Sequence, residues 1–176
     1  MEMNFILSKY NDDDVLKEIS SFCKNRCEFD DFFDFFLFDG VVKLIIHERR
    51  KGNKAKEYVP AYFFHIYVED VKVGHLDIRI GYNENLYYGG HIGYTVDEIY
   101  RGKGYAGKAC RLAFEVASKH KMKCLSISNE YNNEKSIRVC QKIGAKYIRT
   151  VTLPPDNNMR LTDGDEAKNI WFVDLA

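Results

Sequence analysis

The sequence predicts one α/β domain, built on a mixed sheet that is antiparallel at first, parallel at one crossover, and faced by helices. Three observations predict it. Between residues 42 and 96 apolar side chains alternate with polar ones across short turns, which is the period of half-buried strands. From Ala106 the period changes: Ala106, Ala109, Cys110, Ala113, Phe114 and Ala117 follow helical spacing. A short apolar run at 122–128 comes directly after that helix, so strand, helix and strand should close as a right-handed parallel crossover.

The elements follow in order. Residues 5–7 read as a short first strand. Asn11, Asp12, Asp13 and Asp14 offer a cap and an acidic first turn for a helix through Val15, Leu16 and Ile19. The acidic, Phe-rich run 28–38 reads as a second helix ending near Gly40, with Phe inward and Asp outward. Val42, Leu44 and Ile46 begin the strands, and 52–56 is a polar connection. Tyr62, Phe64, Ile66 and Val68 form the next strand. Glu69-Asp70 turns the chain into Leu76, Ile78 and Ile80. Residues 83–85 read as another turn and 87–96 as a strand. Strands joined by such short turns are antiparallel neighbours. A helix over 105–120, with small residues on its buried stripe, can lie close to a sheet. After the strand at 122–128, Asn132 or Asn133 caps a helix that ends at Gly144. Residues 147–153 are a strand stopped by Pro154-Pro155. A polar loop follows over 156–168, and 169–175 closes as a strand containing Trp171. No repeat, low-complexity tract or linker interrupts the 176 residues, so 1–176 reads as a single domain with a helical part over 1–40 and a core over 60–153.

Composition narrows the function classes. Lys plus Arg and Asp plus Glu number 26 each, so no general attraction to nucleic acid or an anionic membrane is expected. Any anion site must be a local cluster. The five cysteines match no zinc spacing and read as small buried hydrophobes in a reducing compartment; no metal is expected. The N-terminal residues show no signal-peptide pattern, and no run approaches the roughly 18 apolar residues of a membrane helix. A cytoplasmic location is expected.

The informative segment is Arg101-Gly102-Lys103-Gly104-Tyr105-Ala106-Gly107. Glycines before a helix let the backbone approach a ligand, and the helix start offers unpaired N–H groups and positive dipole. Arg101, Lys103 and Lys108 add local positive charge. A phosphorylated ligand is expected here. Residues 102–107 also spell G-x-G-x-x-G, and Glu130 follows the next strand where a ribose-binding acid could lie. Against a dinucleotide fold stand residues 97–101, which separate strand from first glycine, and the absence of further strand–helix repeats. A P-loop is excluded because no Lys-Ser or Lys-Thr follows Gly104.

Read from Arg101 to Ala106, the segment resembles the R/Q-x-x-G-x-G/A signature of the GCN5-related N-acetyltransferase superfamily. Asn133 to Ala145, with Ser136, Lys142 and Gly144, resembles that family's N-x-x-A/S…K-x-G-F segment, and Gly93-Tyr94-Thr95-Val96 is also similar. The likeness is best over 73–151, and Ser136 is most like the branch that acetylates ribosomal-protein N-termini. The resemblance implies an acyl-coenzyme A N-acyltransferase fold, mostly antiparallel with one parallel pair splayed apart. It implies that acetyl-coenzyme A is the co-substrate, with its pantetheine arm pairing with backbone near Tyr94, Thr95 and Val96. The amides of Arg101, Gly102, Lys103, Gly104, Tyr105 and Ala106 would bind its pyrophosphate, and Asn133 and Ser136 would contact it from the following helix. The acceptor would be a primary amine on a small molecule or a peptide N-terminus, attacking directly in a ternary complex.

The catalytic positions depart from the family's pattern. Cys140 stands where many relatives carry an acid Tyr, Ser128 where some carry Glu, and His91 where many of the Ser-containing branch carry Glu. His91 is therefore the candidate base, with an ordinary pKa near 6.5 that suits the task. The aromatic strands at 62–67 and 87–88 are candidates for an acceptor cavity or a homodimer contact. Two alternatives stay open: a non-catalytic acyl-coenzyme A sensor, and a dinucleotide-dependent oxidoreductase.

Overall fold

Two antiparallel sheets organise the chain in a computed structural model that describes residues 13–175. The expected strand at 5–7 lies outside the described residues, as do Asn11 and Asp12. The described residues fall into two compact units, and the chain passes from one to the other more than once. One unit holds 13–25, 82–90 and 124–174; the other holds 26–81, 91–123 and 175.

The second of these carries a five-stranded sheet in the order β1-β2-β3-β4-β5. Its strands are β1 (Leu37–Phe38), β2 (Val42–Arg50), β3 (Ala61–Val68), β4 (Val71–Arg79) and β5 (Ile92–Val96). Alternation sends Val42, Leu44, Tyr62, Phe64, Ile66, Leu76 and Ile78 into the core. A 15-residue helix, here α3 (Tyr105–Lys119), packs on β2, β4 and β5. Its buried stripe is Ala109, Cys110, Ala113, Val116 and Ala117, so the expected small-residue face is present. β5 is held close to β4: a Cβ added to Gly74 would meet the Thr95 carbonyl oxygen at 2.1 Å. Only glycine fits there.

The other unit carries a three-stranded sheet in the order β6-β8-β7. It comprises β6 (Cys124–Glu130), β7 (Lys146–Thr152) and β8 (Ala167–Asp174). Three helices share the unit with that sheet: α1 (Asp13–Cys23), α2 (Glu84–Gly89) and α4 (Glu134–Lys142). A further helix, α5 (Asn158–Asp163), lies within the polar stretch after β7. Phe22 of α1 anchors this core, stacking on Phe172 at 5.7 Å and meeting Tyr82 and Tyr87 edge-on at 5.3 and 5.7 Å.

Two expectations are corrected. Residues 28–36 are irregular rather than helical and run into β1. Their Phe side chains spread onto Tyr62 and His120 instead of lining one helical face. Residues 84–89 are helix rather than strand, because Asn83 Oδ1 accepts from the Leu86 N–H at 2.9 Å and starts a turn. Tyr87 and Tyr88 are consequently buried and offer no surface for a dimer contact. The mostly antiparallel arrangement with helices is as expected, and its strands fall into two sheets. Every ladder among the described residues is antiparallel.

Candidate coenzyme site

The mouth of α3 is built from β5 outward. After Val96 the Asp97 N–H donates to the Val73 carbonyl at 2.8 Å, and a single 3₁₀ turn (Glu98–Tyr100) carries the chain to Arg101. The Arg101 Nε donates to the Val96 carbonyl at 2.8 Å, tying the loop back to the strand end. Gly102 and Gly104 adopt φ of +82° and +79°, and a Cβ on either would meet nothing within 4 Å. The first reason for glycine here is therefore conformation. The empty surroundings add that the loop faces open space.

Gly104 is the N-cap of α3, and no side chain caps the helix. The first turn of any helix leaves N–H groups without intrahelical acceptors. Here Tyr105, Ala106 and Gly107 supply them beside two exposed cations, Arg101 and Lys103. An uncapped, glycine-lined, basic helix mouth has the free donors and the positive charge that an anion needs. Lys108, in the same turn, is held by Asp39 at 3.2 Å. Nothing local in the sequence marks that pairing, since the partners are 69 residues apart.

The remaining expected residues are distributed as follows. Tyr94 and Thr95 lie on β5, half-buried and exposed respectively, with Val96 buried. Asn133 and Ser136 lie in the other compact unit, at the start of α4. Asn133 Oδ1 accepts from the Ser136 N–H at 3.1 Å, so Asn133 is the helix cap.

His91 is not placed as a base needs to be. It is 0% exposed, and its Nε2 lies 2.8 Å from the Gly81 carbonyl, so that nitrogen carries a proton and donates it. A base must reach the amine. Cys140 is also enclosed. Burial pushes its thiol up to about 12, against the smaller opposing effect of the Asn129 Nδ2–H donated to its sulfur at 3.4 Å. A thiol so weakly acidic has little tendency to protonate a departing thiolate. Asn129 also accepts from Asn169 Nδ2 at 2.9 Å and Trp171 Nε1 at 3.4 Å. Thr150 Oγ1 donates to Asn169 Oδ1 at 2.7 Å. No local pattern in the sequence marks this buried polar network, whose members are up to 42 residues apart. Among the described residues no group of three or more His, Cys, Asp or Glu is placed to hold a metal, and no helix is long and apolar enough to cross a membrane.

Comparison with known proteins agrees with this geometry. The family model described as an acetyltransferase (GNAT) domain matches residues 8–146. No curated protein sequence matches. Among solved structures, RimL, a ribosomal-protein α-N acetyltransferase solved with coenzyme A in a disulfide to one of its cysteines, is 13% identical with a TM-score of 0.57. The match covers 80% of this chain and 98% of RimL. The acetyltransferase from Salmonella typhimurium that modifies an N-terminal serine of a 50S ribosomal subunit protein is 18% identical, TM-score 0.51, over 68% of this chain and 66% of that one. The microcin self-immunity acetyltransferase MccE, solved with acetyl-CoA and AMP, is 19% identical, TM-score 0.51, over 65% of this chain. The chain spans only 61% of the MccE structure's length. At these identities the neighbours show the fold, while the family model covers most of the chain: it belongs to the GNAT acetyltransferase family.

Proposed function

We propose that the protein transfers an acetyl group from acetyl-coenzyme A to a primary amine. The observation that carries this reading is the uncapped, open, basic mouth of α3. The amides of residues 102–106 bind the diphosphate, Arg101 and Lys103 add charge, and the pantetheine arm lies along β5 at Tyr94, Thr95 and Val96. The acceptor is a small amine or a peptide N-terminus; the N-terminal serine modified by the Salmonella neighbour supports the second. The amine nitrogen attacks the thioester carbonyl carbon. The carbon–sulfur bond then breaks, the coenzyme leaves as thiolate, and the ammonium formed loses its proton. A coenzyme thiolate leaves readily, so Cys140 is not required as an acid.

His91 serves structure in this reading, holding from the residue before β5 the Gly81 carbonyl just past the end of β4. His91→Ala is expected to cost about 1–3 kcal/mol by leaving that buried carbonyl unpaired. The shape of the pH–rate profile should stay the same. Urea unfolding and a pH series of turnover check both; loss of the acidic limb with unchanged stability would restore His91 as the base.

The burial of His91 and Cys140 also favours a second reading, an acyl-coenzyme A sensor without turnover. The oxidoreductase reading loses support because a doubly wound dinucleotide fold needs parallel ladders. Calorimetry against acetyl-coenzyme A and NAD, then thiol release on a panel of amines and peptides, tests the proposal. Binding of acetyl-coenzyme A with thiol release on at least one amine is expected. Binding with no release on any would leave the sensor.

A further inference from the structure

A strap of chain, residues 28–39, is fastened to both ends of α3. At the C-terminal end the Glu28 N–H donates to the His120 carbonyl at 2.7 Å, and His120 Nδ1 lies 2.9 Å from the Glu28 carbonyl. At the N-terminal end Asp39 Oδ2 accepts from Lys108 Nζ at 3.2 Å, while Oδ1 accepts from the Val41 and Val42 N–H groups. The helix rises about 18 Å from Lys108 to His120, whereas the strap could stretch to about 36 Å. Aromatic packing takes up the slack. Phe29 and Phe33 lie 5.0 and 4.9 Å from the His120 ring, and Phe32 and Phe35 lie 5.1 and 5.6 Å from Tyr62.

His120 is 1% exposed. A carbonyl only accepts, so Nδ1 carries the proton toward Glu28. Nε2 then accepts from the Tyr62 hydroxyl at 2.8 Å, and that hydroxyl accepts the Phe33 N–H at 2.8 Å. The whole arrangement needs a neutral imidazole. A second proton would bury a charge and leave the Tyr62 O–H with no acceptor in this chain of bonds. Charged groups act on the Tyr62 hydroxyl that His120 bonds: Arg49 from β2 and Asp31 and Asp34 from the strap; Lys119 and Lys121 flank His120 in the sequence. Lys119 Nζ sits 5.2 Å from the Phe33 ring centre.

We propose that the strap is an acid-released latch: protonation of His120 frees residues 28–36 from the end of α3 and, through Asp39 and Lys108, loosens the loop that grips the coenzyme. The second half rests on reading 101–106 as the coenzyme loop. Burial already holds the His120 imidazole below its ordinary range, outweighing the hydrogen bond to Glu28 that acts the other way. Because the closed state favours the neutral form, the latch is fully stable above the ordinary imidazole pKa of about 6.5. It weakens as pH falls through that value toward the lowered one.

The test is amide hydrogen exchange of the full chain, corrected for intrinsic rates, at about pH 7.5 and about pH 5.0. The open population of residues 28–36 should rise about 10- to 30-fold on acidification. His120→Gln should flatten that response. Tyr62→Phe should raise opening at the higher pH and move its midpoint upward. A flat wild-type response, or the same response in His120→Gln, overturns the latch. If His120→Gln does not fold, an unchanged midpoint in Tyr62→Phe does so. Strap release without any loss of acetyl-coenzyme A affinity overturns the coupling. Failure of acetyl-coenzyme A to protect residues 102–106 at the higher pH overturns the coenzyme reading instead, with the strap's acid response left standing.

Discussion

Gly104→Asp is expected to weaken acetyl-coenzyme A binding about a hundredfold or more, close to 3 kcal/mol, while leaving the protein folded. Two physical effects act together. Asp is among the side chains that tolerate the left-handed region, so a φ of +79° costs it about 1 kcal/mol or less. At an N-cap its carboxylate accepts from the first-turn N–H groups, which offsets that cost. The same carboxylate then occupies the donors that a diphosphate needs and sets negative charge against negative charge. Calorimetry would show the lost affinity, and a thermal midpoint within a few degrees of wild type would show an intact fold. Gly104→Ala separates the effects, since it brings backbone strain without charge and should lose much less affinity. Equal losses in the two variants would locate the diphosphate elsewhere.

Asn129→Ala is expected to destabilise the protein by about 3–4 kcal/mol. Asn129 is 5% exposed and joins three elements: its oxygen takes protons from Asn169 and Trp171 on β8, and its amide donates to Cys140 on α4. Truncation leaves the Trp171 N–H without that acceptor and weakens the hold on Asn169, whose other contacts to the Glu130 and Tyr131 carbonyls are long, at 3.5 and 3.3 Å. Unpaired buried donors cost more than their bonds contribute. Tyr147→Phe is the contrast. The Tyr147 hydroxyl meets Thr150 at the exposed end of the network, at 2.8 Å, and its loss should cost under about 1 kcal/mol. Chemical denaturation of the two variants measures the difference, and similar losses would mean that the network does not act through burial.

Local patterns made much of this legible. The alternation at Leu44, Ile66 and Leu76 and the 3.6-residue stripe of α3 report a buried face directly, and the buried residues match them. The glycine loop was readable for the same reason, because left-handed φ values and an open helix mouth leave a short signature. Residues 28–36 were not readable. Their Asp and Phe spacing suits a helix, but the ring contacts with Tyr62 and His120 override that preference, and those partners are distant in sequence. His91 shows another limit. Residue type suggested a base, yet burial depends on the whole tertiary arrangement, which one position cannot report. Residues 83–85 read as a turn and the tyrosines after them as a strand start, because the cap bond that Asn83 makes to Leu86 is not distinguishable from a turn bond in the sequence.

The stacking of Phe22 on Phe172 joins residues 150 positions apart (172 − 22). Such a contact closes a very long loop, and its entropy must be met before the contact gives anything back. The five-stranded unit, by contrast, has nearly all its residues by position 123. On a ribosome its sheet can therefore form while Phe22 of α1, synthesised earlier, still lacks Phe172, the ring that stacks on it. Until β8 emerges, that face of the helix is apolar surface the nascent chain leaves open to aggregation.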